Sequence, residues 1–430
     1  MENKKTSRLI LFLTVFIDMM GFSIIFPLFP RLLEHYLAKG KDSFLESILN
    51  LARFLGGDES NAYLIILFGG ILGSIYSILQ FFFSPIWGKV SDNIGRKPVL
   101  IATSLGNFLG YILWLYSGSF TIFVLSRVIT GIMGGNISVA SAAMADSTNE
   151  SERARGMGMI GAGIGLGFVF GPPLSGLLSG LDLNQYFPFG FTIFSASILL
   201  GVFIAFLNLL LIFFLFEETL TGLDVAPSRH GTGIHPVFGL SKSGVKELPL
   251  LSLIYFLFTF AFSGFEFCIN FYLDGVYHFD PRQIGYTFVF IGIIIIFIQG
   301  GVIRRISGKI SEKLISFFGA ANLFLGLILI AFSKSIPISF LALSFISMGS
   351  AFLHPGLSSL ASLFSSREEQ GKNLGILRGF GALARALSPL CFSILYFRLQ
   401  HQLTFIISAV IILGVILFIR ILDDSEYNIH

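Results

Sequence analysis

The residues of this sequence that could do chemistry are ionisable side chains set inside long apolar runs: Asp18, Arg127, Glu266, His354, Arg378 and Arg385. In hydrocarbon such a group costs several kcal/mol unless it is paired or hydrated, so each is a functional candidate. Apolar surroundings favour the neutral form of a carboxyl, and a carboxyl whose charge depends on what faces it can carry a proton. Asp18 and Glu266 are therefore the first candidates for proton binding, with His354 a third. The competing reading pairs each carboxylate permanently with Arg127, Arg378 or Arg385, and makes His354 a satisfied core histidine. A guanidinium offers a planar fork that grips a carboxylate or phosphate through two N–H groups. Three arginines against two carboxylates leave positive charge in excess, which favours an anionic or zwitterionic ligand over a plain lipophilic cation. Arg378 and Arg385 are seven apart and share one face of a helix. Arg127 also has a packing reading. Gln80 and Asn136 could orient a ligand, and interhelical hydrogen bonding explains them equally well.

The elements that must position these groups are membrane helices. A chain of 430 residues that is 54% hydrophobic and only 12% charged has more apolar side chains than a soluble domain could bury. With about 20 apolar residues needed to cross, runs fall near 8–30, 62–86, 99–118, 121–145, 157–180, 188–216, 248–273, 284–303, 314–333, 337–363, 373–397 and 403–421. Lys4 and Lys5 before the first run resemble a signal-peptide start. That run continues to Pro30 without a small-residue cleavage site and is read as a retained span. The expected fold is an all-α membrane protein of twelve transmembrane helices in two pseudo-symmetric six-helix halves, 1–216 and 248–430. The stretch 217–247, with Pro227, Gly231, Gly233 and Pro236, is the expected linker. Of the 28 Lys and Arg, only Arg31, Lys39, Lys41, Arg53, Arg282, Lys334 and Arg398 fall on the face opposite the termini. This bias puts both termini in the cytoplasm. Phe44, Leu45, Ile48, Leu49, Ala52 and Leu55 give the outer loop 31–61 helical amphipathicity, for a helix lying on the outer leaflet or capping the outer mouth.

Other chemistry is disfavoured. Cys268 and Cys391 both lie in apolar runs, which suits neither a disulfide framework nor a metal cluster. Gly156-Met-Gly158-Met-Ile-Gly161 matches a dinucleotide fingerprint, yet it opens a membrane helix with no strand before it. No phosphate-binding lysine loop or activated nucleophile stands out, so an enzyme is not expected and no cofactor is required. The basic loops give no reason to expect nucleic acid.

One charged link is not demanded by hydropathy: Gly88-Lys-Val-Ser-Asp92-Asn-Ile-Gly95-Arg96-Lys97, between the second and third runs. A weaker copy, Gly301-Val-Ile-Arg304-Arg305-Ile-Ser-Gly308-Lys309, follows the eighth run with Arg305 at the aspartate position, and repeated halves are a hallmark of alternating-access transporters. The link resembles the loop signature of the major facilitator superfamily. Gly167-Phe-Val-Phe-Gly171-Pro172-Pro173-Leu-Ser-Gly176 in the fifth span is similar to the antiporter signature of the superfamily's twelve-span drug:proton antiporters. Asp18-Met-Met-Gly21 leading to Pro27 and Pro30, Tyr76 to Gln80-Phe81 leading to Pro85, and Arg127-Val-Ile-Thr-Gly131 leading to Ala145-Asp146 look like tetracycline efflux proteins. Ser263-Gly264-Phe265-Glu266, Gln299 to Arg305 and Leu374-Gly-Ile-Leu-Arg378 through Arg385 resemble their animal tetracycline-transporter-like relatives.

The resemblance implies a monomeric secondary transporter in the bilayer, a multi-pass protein of a bacterial cytoplasmic (inner) membrane. It would export amphipathic organic anions or zwitterions in exchange for protons, driven by the gradient. Facilitated diffusion of a lipid-like molecule or metabolite is the alternative, and a non-transporting scaffold or receptor a remote one. Gly88, Asp92, Gly95, Arg96, Lys97 and Asp146 would form a cytoplasmic gate. In it Asp92 would face the N-terminus of the eleventh helix near Gly371 to Leu374, and Arg96 would pair with Asp146. The fifth-span glycines read equally as close helix packing, with Pro172 and Pro173 bending the helix.

Overall fold

The computed structural model describes residues 2–38, 42–54, 61–148, 150–181, 183, 191–192, 194–220, 237, 240, 244–306, 309–366 and 370–422. All regular structure among them is helical. The first compact unit comprises Met1–His235 with Phe279–Tyr286, and the second Pro236–His278 with Thr287–His430. Most of the expected linker, including Pro227, Gly231, Gly233 and Pro236, lies outside the described residues.

The first unit runs through α1 (Glu2–Ser23), α2 (Phe29–Ala38), α3 (Ser43–Phe54), α4 (Asn61–Ile94), α5 (Arg96–Leu115), α6 (Phe120–Met133), α7 (Asn136–Ser147), α8 (Glu150–Leu178) and α9 (Ser195–Leu215). The second contains α10 (Leu248–Tyr277), most of α11 (Pro281–Phe297), a π-helical turn at Ile298–Ile303, α12 (Arg304–Ile306), α13 (Glu312–Ala331), α14 (Ile336–Leu363) and α15 (Gln370–Ile421). Among the described residues, eleven helical stretches are long and apolar enough to cross a membrane. The last, Lys372–Ile421, is broken by non-helical backbone at Gln400 (φ 62°, ψ 175°), so it supplies two crossings and the total is twelve.

Close packing rests on small residues. A methyl at Gly167 would sit 2.5 Å from the Phe16 carbonyl oxygen and 2.8 Å from the Met20 nitrogen, and one at Gly171 would strike Met20 and Ser23. α8 therefore lies backbone to backbone on α1, as small-residue stripes permit. Gly326 and Gly349 do the same between α13 and α14. Pro172 and Pro173 lie within α8, which runs on past them to Leu178.

The structure revises three expectations. The link Gly88 to Lys97 is not a loop: α4 continues to Ile94, α5 begins at Arg96, and Gly95 alone turns the chain, at φ 102°. Nothing between Gly88 and Ile94 breaks a helix, so the polar residues extend it. The fourth span is divided at Gly134-Gly135 into α6 and α7. The outer-loop helix α3 does not lie free, because Leu45, Ile48 and Leu49 are buried and it packs on α4 and α6. Leu55 lies outside the described residues.

Asp42 explains the docking of α3. Its carboxylate accepts from the backbone N–H of Phe44 and Leu45 and from both the backbone and hydroxyl of Thr121, at 2.9 to 3.1 Å. One side chain thus satisfies the first N–H groups of two helices. Partial burial acts to raise this carboxyl, but the N–H and O–H donors of Thr121, Leu45 and Phe44 outweigh it and hold it below its ordinary 3.8.

Candidate functional site

In the first unit Asp18, on α1, is 6% exposed and accepts a 3.2 Å hydrogen bond from the Asn107 amide of α5 at Oδ1. Its Oδ2 accepts none among the described residues. The Asn136 amide lies beside it, and Asn136 Oδ1 accepts from the Thr103 hydroxyl. The division of the fourth span places Asn136 there, as the first residue of α7. The carbonyls freed by that break are taken up from α4: Gln80 Nε2 donates to Gly134 O at 3.0 Å and Trp87 Nε1 to Ile132 O at 2.7 Å. Gln80 and Asn136 thus form the interhelical bonds that were one of their two readings.

Arg127, on α6, is 2% exposed, and its guanidinium lies 4.0 Å from the Trp114 ring and 5.7 Å from that of Tyr111. Tyr111 is a neighbour of both Arg127 and Asp18. Gly21 leaves room for its hydroxyl, which a methyl there would strike. No ion pair joins Asp18 to Arg127 among the described residues.

The second unit gathers its candidates on α10, α14 and α15. Arg385 is the charged neighbour of Glu266, of His354 and of Arg378, and Arg378 also faces Tyr255. His354 is enclosed edge-on by Tyr255, Phe258 and Phe262, with centroids 4.7 to 6.2 Å away. Glu266, His354, Arg378 and Arg385 therefore form one group.

At the turn between α4 and α5, Arg96 donates to Asp92 at 2.6 Å and to Asp146 of α7 at 2.8 Å, and its Nη1 also reaches Ser91. A methyl at Gly88 would meet the Ser138 hydroxyl at 2.7 Å, so α4 and α7 touch there. Sequence reasoning missed Glu218, just after α9. Its two carboxylate oxygens accept from the backbone N–H of Arg96 and of Lys97 at 3.0 Å each, capping α5, and Oε1 also accepts from Thr219 and Leu220. Gly176, at the end of the α8 motif, meets Gly285 within the same unit.

Sequence reasoning also passed over Thr103, Asn107, Tyr111 and Trp114. Their spacing of four, four and three is a single stripe of α5, and that periodicity was the available signal. Tyr255, eleven residues before Glu266, is likewise three turns away on the same face of α10.

The family model described as the Major Facilitator Superfamily matches residues 11–389. This chain belongs to that superfamily. It is a multi-pass membrane transporter rather than an enzyme. The chain is 33% identical to the mouse major facilitator superfamily domain-containing protein 10, over 97% of this chain and 93% of that protein. The class B tetracycline resistance protein of Escherichia coli is 26% identical, over 88% of this chain and 86% of the relative. Among solved structures, the human organic anion transporter MFSD10 (TETRAN) superposes with a TM-score of 0.78 at 29% identity, covering 97% of this chain and 99% of that one.

Proposed function

We propose that this chain is a proton-coupled antiporter that exports amphipathic organic anions or zwitterions by alternating access. The observation that carries the reading is that the first helix of each unit bears a membrane-embedded carboxylate, Asp18 on α1 and Glu266 on α10, with Arg385 the charged neighbour of Glu266 and Arg127 buried on α6 of the unit that holds Asp18. A carboxylate so placed binds a proton when the arginine is occupied by an anion and loses its attraction to it, and releases the proton when the arginine is free to stabilise its charge. Cargo and proton then compete, which is the requirement for exchange. The similarity to a protein titled an organic anion transporter supports an anionic cargo.

In this reading the termini face the cytoplasm, the membrane is a cytoplasmic membrane, and the protein works as a monomer. Arg96, held by Asp92 and Asp146, belongs to a cytoplasmic gate that makes and breaks as the transporter turns over. The test is uptake or efflux in proteoliposomes under an imposed pH gradient. Glu266→Gln and Asp18→Asn should each lose most gradient-driven flux, and unchanged flux in both variants would defeat the coupling assignment. Thermal stabilisation of purified protein by anions and zwitterions, and not by lipophilic cations, is the expected ligand profile.

A further inference from the structure

The guanidinium of Arg127 is planar, and its Nε–H and one Nη2–H lie along a single edge, the edge that grips a carboxylate side-on. Both nitrogens are buried and neither donates a hydrogen bond among the described residues. The face of the same group is occupied, with Trp114 stacked at 4.0 Å. What remains for a ligand is the fork, approached in the plane of the guanidinium. Tyr111, Tyr76 and Tyr36 are the groups electrostatically nearest to it, and Tyr76 stacks on Phe22 at 4.5 Å. A buried charge with no counter-ion is costly, and the cost is recovered when an anion completes it.

We propose that the Arg127 fork is a seat, formed within the first unit alone, for the carboxylate of an aromatic organic acid, whose ring lies among the tyrosines while its two oxygens take Nε–H and Nη2–H. This deepens the proposed function and rests on it only in taking the cargo to be anionic. It differs from the cluster of Arg378 and Arg385 in offering a single guanidinium that has no ion-pair partner among the described residues.

The chain has two tryptophans, Trp87 and Trp114, so Trp114 can be made the reporter of its own neighbour. Full-length protein carrying Trp87→Phe, in detergent and without any gradient, is titrated with benzoate, benzamide and chloride while tryptophan emission is read. The expected result is a saturable change with benzoate and a response at least about tenfold weaker, on the concentration axis, with benzamide, which lacks the charge. Chloride should be as weak as benzamide. Arg127→Lys keeps the charge for folding but lacks the fork, and should lose the benzoate response. The proposal is overturned by equal responses to benzoate and benzamide, by chloride matching benzoate, by no response at all, or by a benzoate response that survives Arg127→Lys. The comparison of the three ligands needs no Arg127 variant. Since no transport is measured, a Trp114 response stands or falls whether or not flux proves proton-coupled.

Discussion

At the residue scale one turn joins α4 to α5, where Glu218 caps the backbone N–H groups that Gly95 delivers to it. Asp18, Glu266 and the arginines within the spans stand out because charge inside an apolar run is rare. Their neighbours do not, since Asn107 or Tyr255 is unremarkable by type and acquires meaning only when helices pack. Glu218 is the extreme case: it lies after α9, some 120 residues from the backbone groups it caps, and no local pattern announces so long a reach. Gly95 shows the reverse, a residue whose identity is explained by conformation. At φ 102°, ψ 155° it occupies a region essentially reserved for glycine, and a methyl there would also meet the Glu218 carboxylate at 2.6 Å. Gly95→Ala should cost about 1 to 3 kcal/mol, read as a lowered melting temperature in detergent. Glu218→Ala should lower it as well, by uncovering the first N–H groups of α5.

At the element scale twelve crossings were legible from hydropathy, because length and apolarity suffice for that. The internal break of the fourth span was not, since Gly134-Gly135 in an apolar run is equally compatible with an unbroken helix until Gln80 and Trp87 are seen beside it. Packing of α8 on α1 gives a direct contrast. Gly167→Ala should destabilise by roughly 1 to 3 kcal/mol, because backbone cannot move aside for the new methyl. Gly165→Ala, where nothing lies within 4 Å, should melt as the parent does. The outer helix α3 offers a pH prediction. The Asp42 carboxyl is depressed in the folded protein, so its contribution is fully present above its ordinary 3.8 and is lost only as the pH falls through the still lower folded value. Docking of α3 should accordingly be constant between roughly pH 5 and 8, and any pH dependence of transport in that range originates elsewhere. Asp42→Ala should speed amide exchange along Ser43–Phe54 at neutral pH; unaltered exchange would show that apolar contacts alone hold the helix.

At the scale of the whole molecule the uneven distribution of basic loops is the ground for expecting both termini in the cytoplasm. A reporter fluorescent only in the cytoplasm should glow when fused at either end of the chain; darkness at both ends would reverse that assignment, and darkness at one end would contradict twelve crossings. The fold shared with a transporter of 29% identity shows that so few identical residues still specify the superfamily's fold. Within the first unit, the division of the fourth span carries a mechanical consequence. Its open carbonyls are held by Gln80 and Trp87 of α4, and a methyl at Gly135 would run into the Trp87 ring, so α4 acts as a splint across the gap. The interruption is therefore not a joint. It lets a helix begin in mid-membrane, beside Asp18, while the two fragments and their splint remain one stiff member.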